Sequence, residues 1–114
     1  MPRRSEKQIY EMHAQVCSVL SNPKRLEIIN LLRGDEQTVG DLAEKMDLTK
    51  ANVSQQIAIL RHKGLLLARR EGQHIYYHLA FPKMLKAYDL LREILMERLS
   101  KQGAMAQRFR KEQP

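Results

Sequence analysis

The chain has 114 residues, and its 20 lysines and arginines against 13 aspartates and glutamates give a formal net charge of +7. That length suits one domain with a modest core, to which a dimer interface would add stability. A basic balance is a weak sign of nucleic-acid binding until the charges are placed. The single cysteine, Cys17, excludes a disulfide within the chain and suits a reducing compartment. The opening MPRRSEKQIYEM has no apolar run of signal-peptide length, and no segment is long enough to span a bilayer; a cytoplasmic protein without membrane contact is expected.

The first helix is expected from about Ser5 to Leu20, where Ile9, Met12, Val16 and Leu20 recur at helical spacing as one apolar stripe. Ser21-Asn22-Pro23 restarts the chain, with Ser21 or Asn22 as cap and Pro23 at the first helical position. The second helix, Pro23 to about Leu32, directs Leu26, Ile29 and Leu32 inward and stops at Gly34. Thr38 and Asp41 form a T-x-x-D start for a third helix whose buried face is Val39, Leu42, Ala43 and Met46. Asp47-Leu48 makes a turn and Thr49 caps a fourth helix, with Val53, Ile57 and Leu60 facing the core and Gly64 at its end. Leu65 to Arg70 and His74 to Leu79 read as two strands around Glu71-Gly72-Gln73. Pro82 opens a long last helix to about Leu99 or beyond. Its apolar positions (Leu85, Tyr88, Leu91, Ile94, Leu95 and Leu99) wrap wider than one domain face needs, which predicts that part of it covers a partner subunit. Residues 1–100 are thus expected to form one DNA-binding and dimerisation domain, and residues 101–114 a basic, frayed tail. There is no internal repeat or low-complexity linker.

The fold class is therefore mainly α with a small β-hairpin: a winged helix-turn-helix of five helices and a two-stranded wing. Lys50, Ala51, Ser54 and Gln55 cluster on the outer side of the fourth helix's first turns. Glutamine makes paired hydrogen bonds to adenine, serine reads base or phosphate, and a helix N-terminus favours phosphate. Arg69 and Arg70 on the wing, with Gln73 and His74 at its turn, are placed to reach phosphate or the minor groove, and Lys24 and Arg25 add charge for the backbone. Each residue alone is a solvated surface position as readily as a DNA contact. The order of the elements is what gives the set its weight.

At these residues the chain resembles the ArsR/SmtB family of winged-helix repressors. The resemblance runs over about residues 8–99, through SNPKRLEIINLL, TVGDLAEKM, ANVSQQIAILRHKGLL and RREGQHIYYHL. It implies a homodimer built by the first and last helices, binding palindromic double-stranded operator DNA, with repression relieved by a metal ion or other inducer. The family's usual sensor positions are altered here. Thr38, Val39 and Gly40 stand where arsenic, cadmium and lead sensors carry Cys-Val-Cys, and Phe81, Lys83, Ile94 and Glu97 where zinc and nickel sensors place their ligands. Of these only Glu97 has a side chain of metal-ligand type, and a lone carboxylate is not a site. One cysteine cannot form the pair used by persulfide-type sensors. No metal and no cofactor are expected, and the inducer is expected to be an unknown small molecule or a redox signal.

Cys17 is the candidate redox sensor. It lies four residues from His13 on one face of the first helix. Its alternatives are a small buried apolar residue, with His13 exposed, or half of a soft metal site doubled across a dimer. Asp89 and Glu93 read as a solvated face with Lys86 and Arg92, and His62 and His78 have no ligand set. Tyr88 and its neighbouring leucines suit either core or an organic-ligand pocket. A protein-interaction module or a nonspecific DNA binder is the competing function. An enzyme is not expected, because no catalytic triad, paired carboxylates or phosphate-cradling glycine loop can be placed.

Overall fold

The computed structural model describes the backbone of residues 2–112 and the side chains of residues 5–103 and 108. Five helices and one hairpin follow in the order α1 (Pro2–Val19), α2 (Pro23–Leu31), α3 (Val39–Met46), α4 (Lys50–His62), β1 (Leu66–Glu71), β2 (His74–Leu79) and α5 (Met84–Glu112). Two compact units divide the chain, the first ending at Pro82 and the second, which holds α5, beginning at Lys83.

Local chemistry sets the boundaries. Asn22 caps α2, its side chain accepting from the amides of Lys24 and Arg25 at 2.9 and 3.3 Å, and Pro23 fills the first helical position, where no amide is needed. Thr38 and Asp41 form a reciprocal capping box on α3, both bonds at 3.1 Å. The chain leaves α3 through Asp47, which takes the left-handed conformation at φ 54°. A short polar side chain tolerates this better than a branched one. The Leu48 amide then returns to the Ala43 carbonyl at 3.0 Å, and Thr49 caps α4 through the Asn52 amide at 3.1 Å. Those two caps hold the turn tight between α3 and α4.

The core of the first unit is formed by Ile28, Ile29 and Leu32 of the α2 region, Leu42, Ala43 and Met46 of α3, Val53, Ile57 and Leu60 of α4, and Leu65, Leu66, Tyr77 and Leu79 at the wing root. Two expected core residues are only half-buried, Leu26 and Val39, and Ile28 takes the inward place expected for Leu26. Among the described residues of α1 only Val19 is buried; Ile9, Met12 and Val16 are exposed in the single chain.

The strands pair antiparallel in the register Leu66↔Leu79 to Glu71↔His74, so Glu71 belongs to β1 and the loop is Gly72-Gln73 alone. Gly72 has φ 62°, at the first loop position, where a two-residue II′ hairpin takes glycine. Tyr77 of β2 also exchanges both backbone bonds with Gln37, at 2.8 and 3.1 Å, which ties the wing to the segment before α3. α5 begins after a turn at Pro82-Lys83 and runs beyond Leu99 to Glu112, through most of the segment expected to be a frayed tail. The sequence there is polar but holds good helix formers, and polarity alone does not stop a helix.

Candidate nucleic-acid interface

α4 is an amphipathic helix with one committed face. Val53, Ile57 and Leu60 are buried, while Lys50, Ala51, Ser54 and Gln55 are all exposed. Spacings of one, four and five residues from Lys50 put these four on neighbouring positions of the first two turns. The Lys50 stem runs back over α3: a methyl group added at Gly40 would lie 3.7 Å from Lys50 Cε.

α4 is fixed from behind by α2. Arg25 Nη1 donates to Gln56 Oε1 at 3.1 Å and its Nε to the Val19 carbonyl, while Lys24 Nζ donates to Asn52 Oδ1 at 3.3 Å. These two cations, expected to add charge for the DNA backbone, hold the helix that presents the polar face.

Gln37 is a buried polar residue that the sequence did not single out. Its Nε2 donates to the Leu31 carbonyl and its Oε1 accepts from Lys45 Nζ at 2.7 Å, so it joins the end of α2 to α3. A buried amide needs such partners, but nothing in its sequence neighbourhood signals them.

On the wing, Gln73 and His74 are exposed at the turn, the His74 ring lying 6.4 Å from that of Tyr76. Arg70 Nε donates to the Gly72 carbonyl at 3.4 Å. Arg69 is bound by its own chain, Nη2 to Glu36 Oε1 at 2.5 Å and Nη1 to Glu71 Oε2 at 2.7 Å. The hydrogen bonds from Arg69 hold the Glu36 carboxyl below its ordinary range. Arg61, near the end of α4, sets its guanidinium 5.8 Å from the Tyr77 ring centroid and so joins the helix to the wing.

The other candidate residues belong to α1 and α5. Cys17 and His13 are both exposed on α1, which corrects the reading of Cys17 as a buried filler within one chain. Tyr88 is half-buried and accepts from Arg92 Nη2 at 2.5 Å on its own helix. Among the described residues no three His, Cys, Asp or Glu side chains converge on a point that would hold a metal ion. Among the same residues no helix is long and apolar enough to cross a membrane.

Two helices joined by a capped turn, the second with an exposed polar front and followed by a hairpin, define a winged helix-turn-helix DNA-binding protein. Residues 22–66 match the family described as "Bacterial regulatory protein, arsR family". The uncharacterized HTH-type transcriptional regulator Rv0081 of Mycobacterium tuberculosis is 31% identical over 103 residues, covering 90% of each chain. Its crystal structure aligns with a TM-score of 0.74 at 32% identity, over 82% of this chain and 95% of that one. The homodimeric winged helix-turn-helix DNA-binding domain of Mb0332 from Mycobacterium bovis aligns with a TM-score of 0.73 at 29% identity, over 82% of this chain and 87% of that one. The transcriptional repressor SdpR of Bacillus subtilis is 38% identical over 64 residues, 56% of this chain and 71% of that protein. The chain belongs to the ArsR/SmtB family of transcriptional regulators.

Proposed function

We propose that the protein is a cytoplasmic, homodimeric repressor of a palindromic operator. The α4 helices of two protomers enter successive major grooves one helical turn apart, and the wings follow the flanking backbone. The observation that carries this reading is the exposed front of α4, where Lys50, Ala51, Ser54 and Gln55 stand opposite a buried apolar stripe. Gln55 pairs with an adenine edge, Ala51 allows close approach of the groove, and Ser54 and Lys50 bond base or phosphate. The tip of the wing, with Arg70, Gln73 and His74 exposed, supplies the sequence-independent part of the affinity. Dimerisation uses the exposed apolar faces of α1 and α5. The name of the Mb0332 domain as homodimeric and that of SdpR as a repressor support those two parts. The inducer is a small molecule or an oxidant acting on Cys17, since residues 38–40 lack the thiolates of the family's metal-sensing box.

The test is fluorescence anisotropy on the duplex just upstream of the protein's own gene, against a scrambled duplex, with and without a thiol oxidant. Preference for the upstream duplex is expected, and Gln55→Ala weakens it by about 1–3 kcal/mol and blurs one base pair. Equal affinity for both duplexes would remove sequence reading at this site. Release by oxidant that Cys17→Ser abolishes assigns the sensor, and indifference to oxidant removes the redox reading and directs the search to organic inducers. Loss of the gene raises transcription from the operator; a fall instead would make the protein an activator.

A further inference from the structure

The wing carries two adjacent arginines that meet different surroundings. Strand alternation sends their side chains to opposite faces of the hairpin, Arg69 across from Tyr76 and Arg70 across from Ile75. Arg69 is exposed but paired within its own chain. Beyond its ion pairs with Glu36 and Glu71, its Nε donates to both Glu36 oxygens at 3.1 and 3.2 Å, and its guanidinium lies 4.8 Å from the Tyr76 ring centroid. This uses the planar fork of arginine fully: two carboxylates at its edges and an aromatic face beneath. Arg70, by contrast, has the carbonyl of Gly72 as its described partner, at the long distance of 3.4 Å.

The geometry points to a division of work within the wing: Arg69 is a positioning residue that clamps the hairpin to the segment before α3, and Arg70 is the wing's contact to phosphate. The inference rests on the DNA-reading function proposed above. Three observations carry it. One cation between two carboxylates leaves the Arg69 face with an excess of negative charge, which repels a phosphate backbone. Turning Arg69 toward DNA would strand Glu36 and Glu71 beside it. Glu36 also adjoins Gln37, whose backbone already pairs with Tyr77 of β2. The side-chain clamp thus crosses β2 to hold β1 as well, and the whole hairpin is referred to the frame that carries α3 and α4.

The test separates positioning from contact by keeping the charge constant. In Arg69→Ala combined with Glu36→Gln, one positive and one negative charge are lost together. Operator affinity is measured against salt concentration, and amide hydrogen exchange of the β1–β2 ladder is measured in the free protein. Each phosphate contact contributes about 0.9 to the slope of log affinity on log salt, so losing one contact from each wing of a dimer lowers it by about 1.8. The double variant is expected to keep the wild-type slope, while wing exchange speeds up about two- to fivefold. Arg70→Ala is expected to lower the slope by about 1.8 with wing exchange unchanged. A slope lowered by that amount in the double variant, or unchanged wing exchange, overturns the clamp. An unchanged slope in Arg70→Ala overturns its role as phosphate contact. If the wild-type protein prefers no duplex, the DNA-reading proposal itself fails, and the exchange measurement still decides the clamp.

Discussion

Gln37 is a side chain whose value lies in having both ends occupied. Its amide nitrogen donates to the Leu31 carbonyl at the end of α2, and its oxygen accepts a hydrogen bond from Lys45 at 2.7 Å. Removing a buried partner costs the desolvation of the groups left behind. Gln37→Ala is therefore expected to lower unfolding stability by about 1–3 kcal/mol in urea titrations, with the slope against urea unchanged. Gln37→Glu should cost more, because a carboxylate facing the Leu31 carbonyl keeps Lys45 but loses the donor. An effect smaller than that of an exposed Gln→Ala change, such as at Gln73, would show that the link carries no load. Such residues are where the sequence is least legible. A glutamine between two elements follows no period, and the partner of Arg69 lies 33 residues upstream at Glu36. The adjacent arginines read as one basic tip, although alternation in a strand already sends them to opposite faces. By contrast, Lys50, Ala51, Ser54 and Gln55 could be read as one exposed front, because helical spacing and the buried Val53, Ile57 and Leu60 fix that face locally.

The elements themselves were largely legible because their ends are written in short-range chemistry. Asn22, Thr38 and Thr49 cap as their residue types suggest, and Gly64 and Gly72 take the positive φ that stops α4 and turns the hairpin. The end of α5 was not legible: residues after Leu99 are mostly polar, yet Gly103 is the one glycine among them, no proline comes before Pro114, and a glycine costs only about 1 kcal/mol. The α3 capping box gives a prediction at this scale. Bonds from Thr38, its backbone amide foremost, hold the Asp41 carboxyl below its ordinary 3.8. A carboxyl lowered in the folded state stabilises it above the unfolded value, and that contribution disappears as pH falls through the folded value. Asp41→Asn should thus be less stable than wild type at neutral pH, and the gap should close as pH is taken below the ordinary aspartate range. Thr38→Ala is expected to cost about 1 kcal/mol through the other half of the box. Urea titrations at neutral and acid pH check both; a gap that persists unchanged into acid would mean that the Asp41 charge adds nothing to the cap.

At the scale of the whole molecule, the unmatched quantity is apolar surface. Ile9 and Met12 of α1 are 62% and 63% exposed, and Leu91 and Ile94 of α5 are 62% and 60% exposed. On α5, Leu91, Leu95 and Leu99 recur every four residues beside Leu90 and Ile94, a stripe far wider than scattered surface leucines require. The sequence already showed this width but could not show that the residues stay uncovered in a single chain. A 13.3 kDa protein gains much by burying such a face, and the proposed dimer also brings two recognition helices to one operator. Leu91→Glu with Leu95→Glu is expected to shift sedimentation from twice the chain mass to the chain mass. Buried carboxylates facing each other across a two-fold interface cannot both be solvated. Because a dimer is stabilised by mass action, the wild-type Tm should rise with protein concentration and that of the variant should not. The variant should still bind a half-site weakly but lose the added affinity of the palindrome, since that advantage exists only when one dimer presents both α4 helices. A wild-type protein that sediments at 13.3 kDa and melts independently of concentration would refute the dimer. It would leave the exposed α5 stripe to be explained by something other than a second copy of the chain.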